Sequence, residues 1–275
     1  MIKAKKSLGQ HFLKSEKITS DIILASNISA NDTVLEIGPG QGILTLELLK
    51  SAKKVIAVEK DNRLIPALSE KFKEEIKSGK LILIEKDILD LNISRTVLDT
   101  KGGYEVVANI PYYITGQFLR KFLQSKYQPK SMTLLVQKEV AERIVAKDGK
   151  ESLLSLSVKV FGTPKYIRTV PKSFFRPRPK VDSAILHISN ISRDNFSNTP
   201  YVGHRERGED FFEKLFFKVI HAGFAHKRKQ LLPNLSNLFR KDHLIRVFEI
   251  CKINPKSRAE DISLEKWLEL CDRLI

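Results

Sequence analysis

Four consecutive residues, Asn109-Ile110-Pro111-Tyr112, could together hold a planar amino group for chemistry. The side-chain oxygen of Asn109 and the carbonyl oxygen of Ile110 are two acceptors for the two N–H groups of an exocyclic amine. Such an amine is a poor nucleophile, and two fixed acceptors would aim its lone pair at an electrophilic methyl group. Pro111 would keep the bend rigid, and Tyr112 could stack on the base. The motif favours methyl transfer to a base, although Asn and Pro are also typical of an ordinary β-turn.

A glycine turn upstream predicts a binding site for a nucleoside-bearing cofactor. The segment Glu36-Ile37-Gly38-Pro39-Gly40-Gln41-Gly42 follows Val34-Leu35 and opens a helical pattern, which is the context of a first βα turn in nucleotide-binding folds. Glycine lets the backbone approach a ligand because it has no Cβ. Pro39 removes an N–H that a pyrophosphate would use, and the spacing differs from that of NAD sites. We therefore expect S-adenosylmethionine against Gly38 and Gly40; a tight packing turn is the alternative.

Two carboxylates that follow the next apolar runs are candidates to bind the same cofactor. Glu59 ends the run that starts at Lys54 and lies about 20 residues after Gly40, the spacing expected for an acid that accepts from ribose hydroxyls. Asp87 follows the next run and could accept from the adenine amino group, and Glu85 competes with it for that role. Solvated charges at strand ends are the alternative for both.

The positive charge of the chain is large and locally concentrated. Its 48 Lys and Arg residues against 32 Asp and Glu give a formal net charge of +16 at pH 7. Such an excess favours a polyanionic partner such as nucleic acid, although general surface lysines are the alternative. Residues 165–180 contain no acid, and Phe175 within them could be the second face of a base sandwich or could anchor the core. The candidate RNA-binding cations are Lys172, Arg176, Arg178, Lys180, Lys227, Arg228 and Lys229.

The hydrophobic pattern predicts the elements that position these residues. Short apolar runs alternate with helical patterns through the first 190 residues, which is typical of βαβ units and a parallel sheet, and Lys165–Val170 with Val181–Ile188 predicts an antiparallel edge. We expect an α/β domain at 1–190, a linker at 191–208 and a small α-helical RNA-binding domain at 209–275. The predicted parallel strands are Thr33–Ile37, Lys54–Glu59, Leu81–Glu85, Glu105–Ala108 and Met132–Gln137. The predicted helices include Gly42–Leu49, Arg63–Ile76, Phe211–Phe217, Asp242–Cys251 and Leu264–Leu270.

Cysteine, histidine and hydropathy patterns argue against several classes of protein. Cys251 and Cys271 form neither a metal-type spacing nor a disulfide framework, which fits a reducing, cytoplasmic setting. His11 and the other histidines show no ligand spacing, so we expect no metal. No apolar run approaches the ~18 residues of a membrane span, and the N-terminal lysines precede no apolar signal region. We expect a monomer with no membrane partner.

With these residues in view, the chain resembles the ribosomal RNA adenine dimethyltransferases of the small subunit. The resemblance implies a Rossmann-like class I methyltransferase fold, with S-adenosylmethionine as donor and S-adenosylhomocysteine as product. It also implies N6,N6-dimethylation of two adjacent adenosines in a loop near the 3′ end of 16S rRNA, with a role in 30S biogenesis. The segments that carry it are Ser7–Leu13, Val34–Gly42, Asn109–Tyr112, Phe175–Ala184, Phe224–Lys229 and Arg258–Glu260.

The resemblance also implies which residues touch the cofactor and the base. Position 11 is asparagine in many relatives, and a contact through the backbone of His11 would survive that difference. The implied cofactor contacts are His11, Leu13, Gly38, Glu59, Asp87 and Asn109. The implied base contacts are Asn109, Ile110, Tyr112 and Phe175.

Two other functions are compatible with parts of this pattern. A 23S rRNA adenine N6-methyltransferase of the macrolide-resistance type shares the Asn109–Tyr112 motif, but the C-terminal segments Phe224–Lys229 and Arg258–Glu260 resemble the small-subunit enzymes. A non-catalytic ribosome assembly factor could keep the fold without the chemistry. The intact Asn109–Tyr112 motif argues against that alternative.

Overall fold

The computed structural model describes residues 2–93, 96, 103–197 and 209–275, whose strands form two sheets. The strands are β1 (Phe12–Leu13), β2 (Thr33–Ile37), β3 (Lys54–Glu59), β4 (Leu81–Glu85), β5 (Glu105–Asn109), β6 (Ser131–Gln137), β7 (Thr163–Val170), β8 (Phe175–Arg176) and β9 (Ser183–Ser189). Among the described residues, seven strands form one sheet in the order β4-β3-β2-β5-β6-β9-β7, and β1 pairs with β8. The sheet is parallel from β4 to β6 and antiparallel at β9 and β7. The predicted α/β fold with an antiparallel edge is confirmed.

Apolar side chains on both faces explain why the central strands are parallel and buried. In β2 and β5, the side chains of Val34, Leu35, Val106 and Val107 are fully buried. Parallel strands joined by helices are covered on both faces, so near-continuous runs of apolar residues are expected in them. The predicted parallel strands agree with the observed ones to within one residue at each end.

The helices follow the predicted pattern with one correction. The predicted helix Arg63–Ile76 is interrupted, because Phe72 has backbone angles outside the helical region (φ −116°, ψ 31°) and lies buried against Gly42. The buried Phe72 ring packs beside the glycine turn at this interruption. The observed helices are α1 (Glu16–Ser26), α2 (Ile43–Ser51), α3 (Ile65–Lys71), α4 (Lys73–Lys77), α5 (Thr115–Leu123), α6 (Lys138–Val145), α7 (Leu153–Lys159), α8 (Asp194–Ser197), α9 (Glu209–Gly223), α10 (Leu231–Leu235), α11 (Lys241–Ile250) and α12 (Leu264–Arg273).

The residues group into two compact units that differ from the predicted boundaries. The first unit comprises 1–141 and 163–191, and the second comprises 142–162 and 192–275. Residues 142–162 were expected in the α/β domain, but within the second unit the Phe161 ring packs on Phe196 and Phe217, and the Ser192 N–H donates to the Phe161 carbonyl. Apolar contact outside the regular sheet therefore decides this grouping.

The predicted linker at 191–208 is partly folded. Residues 194–197 form α8, and its Phe196 is buried, so this stretch packs as part of the second unit despite its polar composition. Residues 198–208 lie outside the described residues. Around α9 to α12 the second unit is helical, as predicted. None of the described helices is long and apolar enough to cross a membrane.

Candidate active site

A cavity lies at the carboxyl ends of the parallel strands in the first unit. Strand β2 has β3 on one side and β5 on the other, so the strand order reverses between them. Ligands of open α/β sheets bind at such a point, outside the carboxyl ends of the strands. The predicted residues that line the cavity are His11, Gly38, Gly40, Glu59, Asp87, Asn109, Ile110, Pro111 and Tyr112. The sheet therefore brings together residues that lie up to about 100 positions apart in the chain.

The glycine turn adopts backbone angles that side chains disfavour. Gly38, Gly40 and Gly42 have φ values of 71°, 58° and 74°. A Cβ on Gly40 would lie 3.0 Å from the Phe12 ring, and one on Gly38 would lie 3.4 Å from the Asn109 carbonyl oxygen. The turn is therefore held against both the N-terminal segment and the Asn109 motif, and glycine is required there for conformation and for space.

The Glu59 carboxylate supports the glycine turn from the end of β3. Its Oε2 accepts from the Gly40 N–H at 3.1 Å, and its Oε1 accepts from the Asp61 N–H at 2.8 Å. The side chain is buried, and burial raises the pKa of Glu59 against the lowering effect of these N–H donors. Each carboxylate oxygen can still accept a second hydrogen bond, so Glu59 can bind a ribose hydroxyl while it holds the turn.

Asp87, rather than Glu85, faces the cavity. The Asp87 carboxylate accepts from the Leu89 N–H at 2.9 Å and forms an ion pair with Lys60 at 2.6 Å. Burial opposes ionisation, but these donors lower the pKa of Asp87 below its ordinary value. Glu85 is exposed and is not part of the cavity lining. Of the two acids that the sequence left open, Asp87 alone lines the cavity.

Asn109, at the end of β5, is oriented by the N-terminal segment. Its side-chain Nδ2 donates to the His11 carbonyl oxygen at 3.2 Å. An amide placed against a carbonyl oxygen must present its NH₂ group there, so the Oδ1 acceptor is the atom left for a ligand. Ile110 is buried, and Pro111 has φ −58°, the value to which the proline ring restricts the backbone. The structure thus presents an oriented amide acceptor at the cavity.

Tyr112 is held by a side-chain hydrogen bond across the first unit. Its hydroxyl and the Ser183 hydroxyl are 2.6 Å apart, and burial raises the pKa of Tyr112. The His11 ring lies nearly parallel to the Tyr112 ring with 6.1 Å between centroids. His11 in turn donates from Nδ1 to the Pro177 carbonyl oxygen at 2.7 Å. A side-chain role for His11 therefore exists: it joins the Tyr112 ring to the segment that carries Arg176 and Arg178.

Two residues that the resemblance assigns to ligands are not brought to the cavity. Leu13 and Phe175 pair with each other across the β1–β8 ribbon, and each is almost fully buried in the hydrophobic core. Neither belongs to the cavity lining. The expected stacking of Phe175 on a base is not supported by this geometry, and its core-anchoring alternative is, because its ring is covered by apolar neighbours.

The cavity also has lining residues that the sequence patterns did not predict. Gln10, Lys60, Ile88 and Tyr113 are among them. Gln10 donates from Nε2 to Asp61 at 2.7 Å, and the bidentate Arg63 partner lowers the pKa of Asp61 to about 2. Each of the four is adjacent in sequence to a predicted site residue, and this adjacency could have identified them. The neighbours are His11, Glu59, Asp87 and Tyr112. Gln10 therefore fastens the N-terminal segment to the loop after β3.

The predicted RNA-binding cations are exposed in both units. In the first unit the Lys172 ammonium donates to the Lys180 carbonyl at 3.3 Å, so these two exposed residues lie next to each other. The remaining exposed cations of the prediction are Arg176, Arg178, Lys227, Arg228 and Lys229. Within the described part of the chain, no group of three or more His, Cys, Asp or Glu side chains could hold a metal ion.

Comparison with known proteins identifies the family of this chain. The family model described as ribosomal RNA adenine dimethylase matches residues 1–275. A protein of Dehalococcoides mccartyi named ribosomal RNA small subunit methyltransferase A is 43% identical over 272 residues, which is 98% of this chain and 88% of that protein. A protein of the same name from Fusobacterium nucleatum is 40% identical over 271 residues, 98% of this chain and 96% of that protein.

Solved structures share the fold. A dimethyladenosine transferase from Plasmodium falciparum aligns with a TM-score of 0.77 at 27% identity, covering 94% of this chain and 96% of that one. The 23S rRNA methyltransferase ErmE aligns with a TM-score of 0.74 at 23% identity, covering 96% and 99%. These likenesses confirm the class I methyltransferase fold. With the family model matched from end to end and the motif residues gathered at one cavity, the chain belongs to the ribosomal RNA adenine dimethylase family.

Proposed function

We propose that this protein transfers methyl groups from S-adenosylmethionine to N6 of two adjacent adenosines near the 3′ end of 16S rRNA. The product would be N6,N6-dimethyladenosine in the small ribosomal subunit, formed during 30S biogenesis. The observation that carries the substrate is the 43% identity, across 98% of this chain, to a protein named ribosomal RNA small subunit methyltransferase A. The oriented Asn109 amide beside the glycine turn supports the chemistry.

The residues around the cavity fit S-adenosylmethionine. Gly38 and Gly40 form a turn that a ligand can approach closely. Because Pro39 between them has no N–H to donate to a phosphate, the turn suits a cofactor without phosphates. Glu59 has free acceptor capacity for ribose hydroxyls, and Asp87 has it for the adenine amino group. The His11 backbone adjoins Asn109, which supports its expected contact with the same ligand. When bound, this cofactor supplies a methyl group on a positively charged sulfur and leaves as S-adenosylhomocysteine.

The residues of the Asn109 motif would act by holding the target amine. Asn109 Oδ1 and the Ile110 carbonyl oxygen accept its two N–H groups, which localises the nitrogen lone pair and fixes its direction. Because His11 holds the Asn109 amide, the acceptor is oriented before the base arrives. Tyr112 offers a ring that is fixed at its hydroxyl by Ser183, and stacking on such a ring is worth about 1–3 kcal/mol per base.

RNA binding would use the exposed cations of both units. In the first unit the backbone that carries Arg176 and Arg178 is attached to His11 through Pro177, so these cations are tied to the motif that holds the base. Lys172 and Lys180 extend the same surface. Phosphate contacts of this type supply affinity and position without reading sequence, so the base pocket would select adenosine.

The alternatives have less support. The 23S macrolide-resistance type is represented by ErmE, whose 23% identity to this chain shows only the fold. A non-catalytic assembly factor would have no need of an Asn109 side chain oriented toward the cavity. A monomeric state and a cytoplasmic location stay predictions; sedimentation of the purified protein and fractionation of cells would test them.

Nucleoside mass spectrometry is the experiment that tests the proposal. The protein and S-adenosylmethionine are incubated with unmethylated small subunits and, separately, with naked large-subunit rRNA. We expect N6,N6-dimethyladenosine on the small subunit alone. Product only on the large-subunit RNA would favour the resistance-type enzyme, and absence of product on both, with RNA binding retained, would favour the assembly factor.

A further inference from the structure

Every residue of a strongly basic loop in the second unit is exposed. This loop, residues 225–230, joins the end of α9 to the start of α10 and contains His226, Lys227, Arg228 and Lys229. Within the described part of the chain, Lys227, Arg228 and Lys229 take part in no ion pair. Three neighbouring cations without acidic partners repel each other, and binding of an anionic ligand would reduce this repulsion.

The backbone of this loop is fixed by one buried amide. Asn234, in α10, is only 2% exposed. Its Nδ2 donates to the Gly223 carbonyl at 2.6 Å and to the His226 carbonyl at 3.3 Å. The first carbonyl belongs to the last residue of α9, where helices leave acceptors unsatisfied, and the second lies inside the basic loop. The Lys229 N–H also donates to the His226 carbonyl at 2.9 Å, so the cations sit on a closed turn.

The two ends of the basic loop are packed as well. A Cβ on Gly223 would overlap Cη2 of the fully buried Trp267, so α9 ends directly on the indole. The Phe224 ring stacks on the same indole with centroids 5.9 Å apart. At the far end the Leu231 N–H donates to the Ser257 carbonyl at 2.8 Å. The loop is exposed in its side chains but anchored in its backbone.

Anchoring the loop through Asn234 lowers the stability of the fold. Its Oδ1 is buried and has no hydrogen-bond partner among the described residues. An unsatisfied buried acceptor destabilises a fold, and a leucine, which branches at the same carbon, would carry no such penalty. The two N–H bonds, one to the end of α9 and one to the loop, are what the amide provides and a leucine would not.

We propose that Asn234 is a positioning residue for RNA binding, whose buried amide holds the basic loop so that Lys227, Arg228 and Lys229 meet RNA phosphates from a fixed turn. This inference rests on the proposed function, because it takes RNA as the ligand of the loop. A turn that is already fixed loses less conformational entropy on binding than a free one, so the amide contributes affinity without touching RNA.

A double-mutant cycle on the full-length protein tests this role. The variants are Asn234→Ser, the triple variant Lys227→Ala with Arg228→Ala and Lys229→Ala, and the two combined. Asn195→Ser is the matched control, because the Asn195 amide also donates to a carbonyl of the second unit, that of Val160, at 2.7 Å. Binding to unmethylated small subunits is measured across a salt series, with the thermal midpoint recorded for each variant. Asn234→Leu replaces Asn234→Ser if the serine variant does not fold.

We expect Asn234→Ser to lower the affinity about 5- to 30-fold, the factor that fixing one backbone residue is worth. In the triple variant the same substitution should have no further effect, since the cations through which it acts are absent. Equal losses with and without the cations, an unchanged affinity, or an equal loss from Asn195→Ser at matched stability would overturn the role of Asn234. If the triple variant itself keeps the affinity and salt dependence of the wild type, the proposed RNA contact of the loop fails, and the role of Asn234 with it.

Discussion

Asn109 Nδ2 lies 3.2 Å from the His11 carbonyl oxygen, and this hydrogen bond joins residues 98 positions apart. Because Nδ2 is used in this bond, Oδ1 is the atom of the amide that remains free for a ligand. The contact uses the backbone of His11, which any residue at position 11 could supply. The His11 side chain is then free to bind the Pro177 carbonyl.

Removal of the Asn109 amide should abolish most of the catalysis. We expect Asn109→Ala to lower kcat by about 100- to 1,000-fold, the usual loss when one preorganised polar group is removed from an active site. RNA affinity should stay near the wild-type value, because phosphate contacts dominate it. Methyl transfer to small subunits under single-turnover conditions measures the first quantity. Asn31→Ala, an exposed amide outside the cavity lining, is the control, and unchanged turnover in Asn109→Ala would refute the assigned role.

Loss of Glu59 should weaken cofactor binding. Glu59→Ala removes the ribose acceptor and the support for the Gly40 and Asp61 N–H groups, so we expect the affinity for S-adenosylmethionine to fall at least about tenfold. Isothermal titration calorimetry gives the Kd directly. Glu85→Ala, an exposed acid at the end of the neighbouring strand, should bind as the wild type does. Equal Kd values for all three proteins would remove Glu59 from the site.

Asp87 should make the site prefer a cofactor whose base carries an amino group. We expect the wild type to bind S-adenosylhomocysteine more tightly than S-inosylhomocysteine, whose base has an oxo group in place of the amine. Asp87→Ala should lose most of this preference, because the acceptor of the amine is gone. Competition binding with both compounds measures it for Asp87→Ala and Glu85→Ala. A preference lost in Glu85→Ala and kept in Asp87→Ala would reverse the assignment made from the geometry.

Charge reversal beside the base pocket should change the salt dependence of RNA binding. For the double variant Arg176→Glu with Arg178→Glu we expect weaker binding and a log–log salt slope reduced by about 1.5, the share of two phosphate contacts. Filter binding across a salt series measures both. The variant Lys73→Glu with Lys77→Glu makes the same change of net charge on α4, and it should keep the slope. Identical slopes in the two double variants would place the RNA elsewhere.

Glu36, which directly precedes the cavity-lining residue Ile37, should make the stability of the fold depend on pH. It is 1% exposed, and burial, together with the nearby Glu59 carboxylate, raises the pKa of Glu36 to about 8. Between the ordinary pKa and this raised value the folded chain holds a proton that the unfolded chain has lost, so stability falls as the pH rises toward 8. One such group contributes at most about 1.4 kcal/mol per pH unit.

Glu36→Gln should therefore flatten the fall in stability between about pH 5 and pH 8. Urea unfolding at several pH values measures the free energy of unfolding for the variant and the wild type. The exposed Glu85→Gln should leave the curve as it is in the wild type. Parallel curves for wild type and Glu36→Gln would show that Glu36 is ionised in the folded protein.

The order of elements could be predicted because it depends on local pattern. The runs Thr33–Ile37 and Lys54–Glu59 are apolar for the whole length of a strand, and that pattern is set by burial on both faces of a parallel sheet. The Arg63–Ile76 helix was predicted as continuous because periodicity does not register that Phe72 must turn inward against Gly42. The grouping of 142–162 with the C-terminal helices also depends on contacts between distant segments, and no local pattern reports them.

For the candidate site, residue type and spacing predicted which groups could do the chemistry: Gly38, Gly40, Glu59, Asp87 and the Asn109–Tyr112 motif, all of which line one cavity. Three further features depend on the folded chain: the choice of Asp87 over Glu85, the burial of Phe175 in the core and the orientation of Asn109 by His11. Residue type and spacing fix what a group can donate or accept. Which groups meet, and which ring is covered, depends on strand pairing and packing between segments that are far apart in the chain.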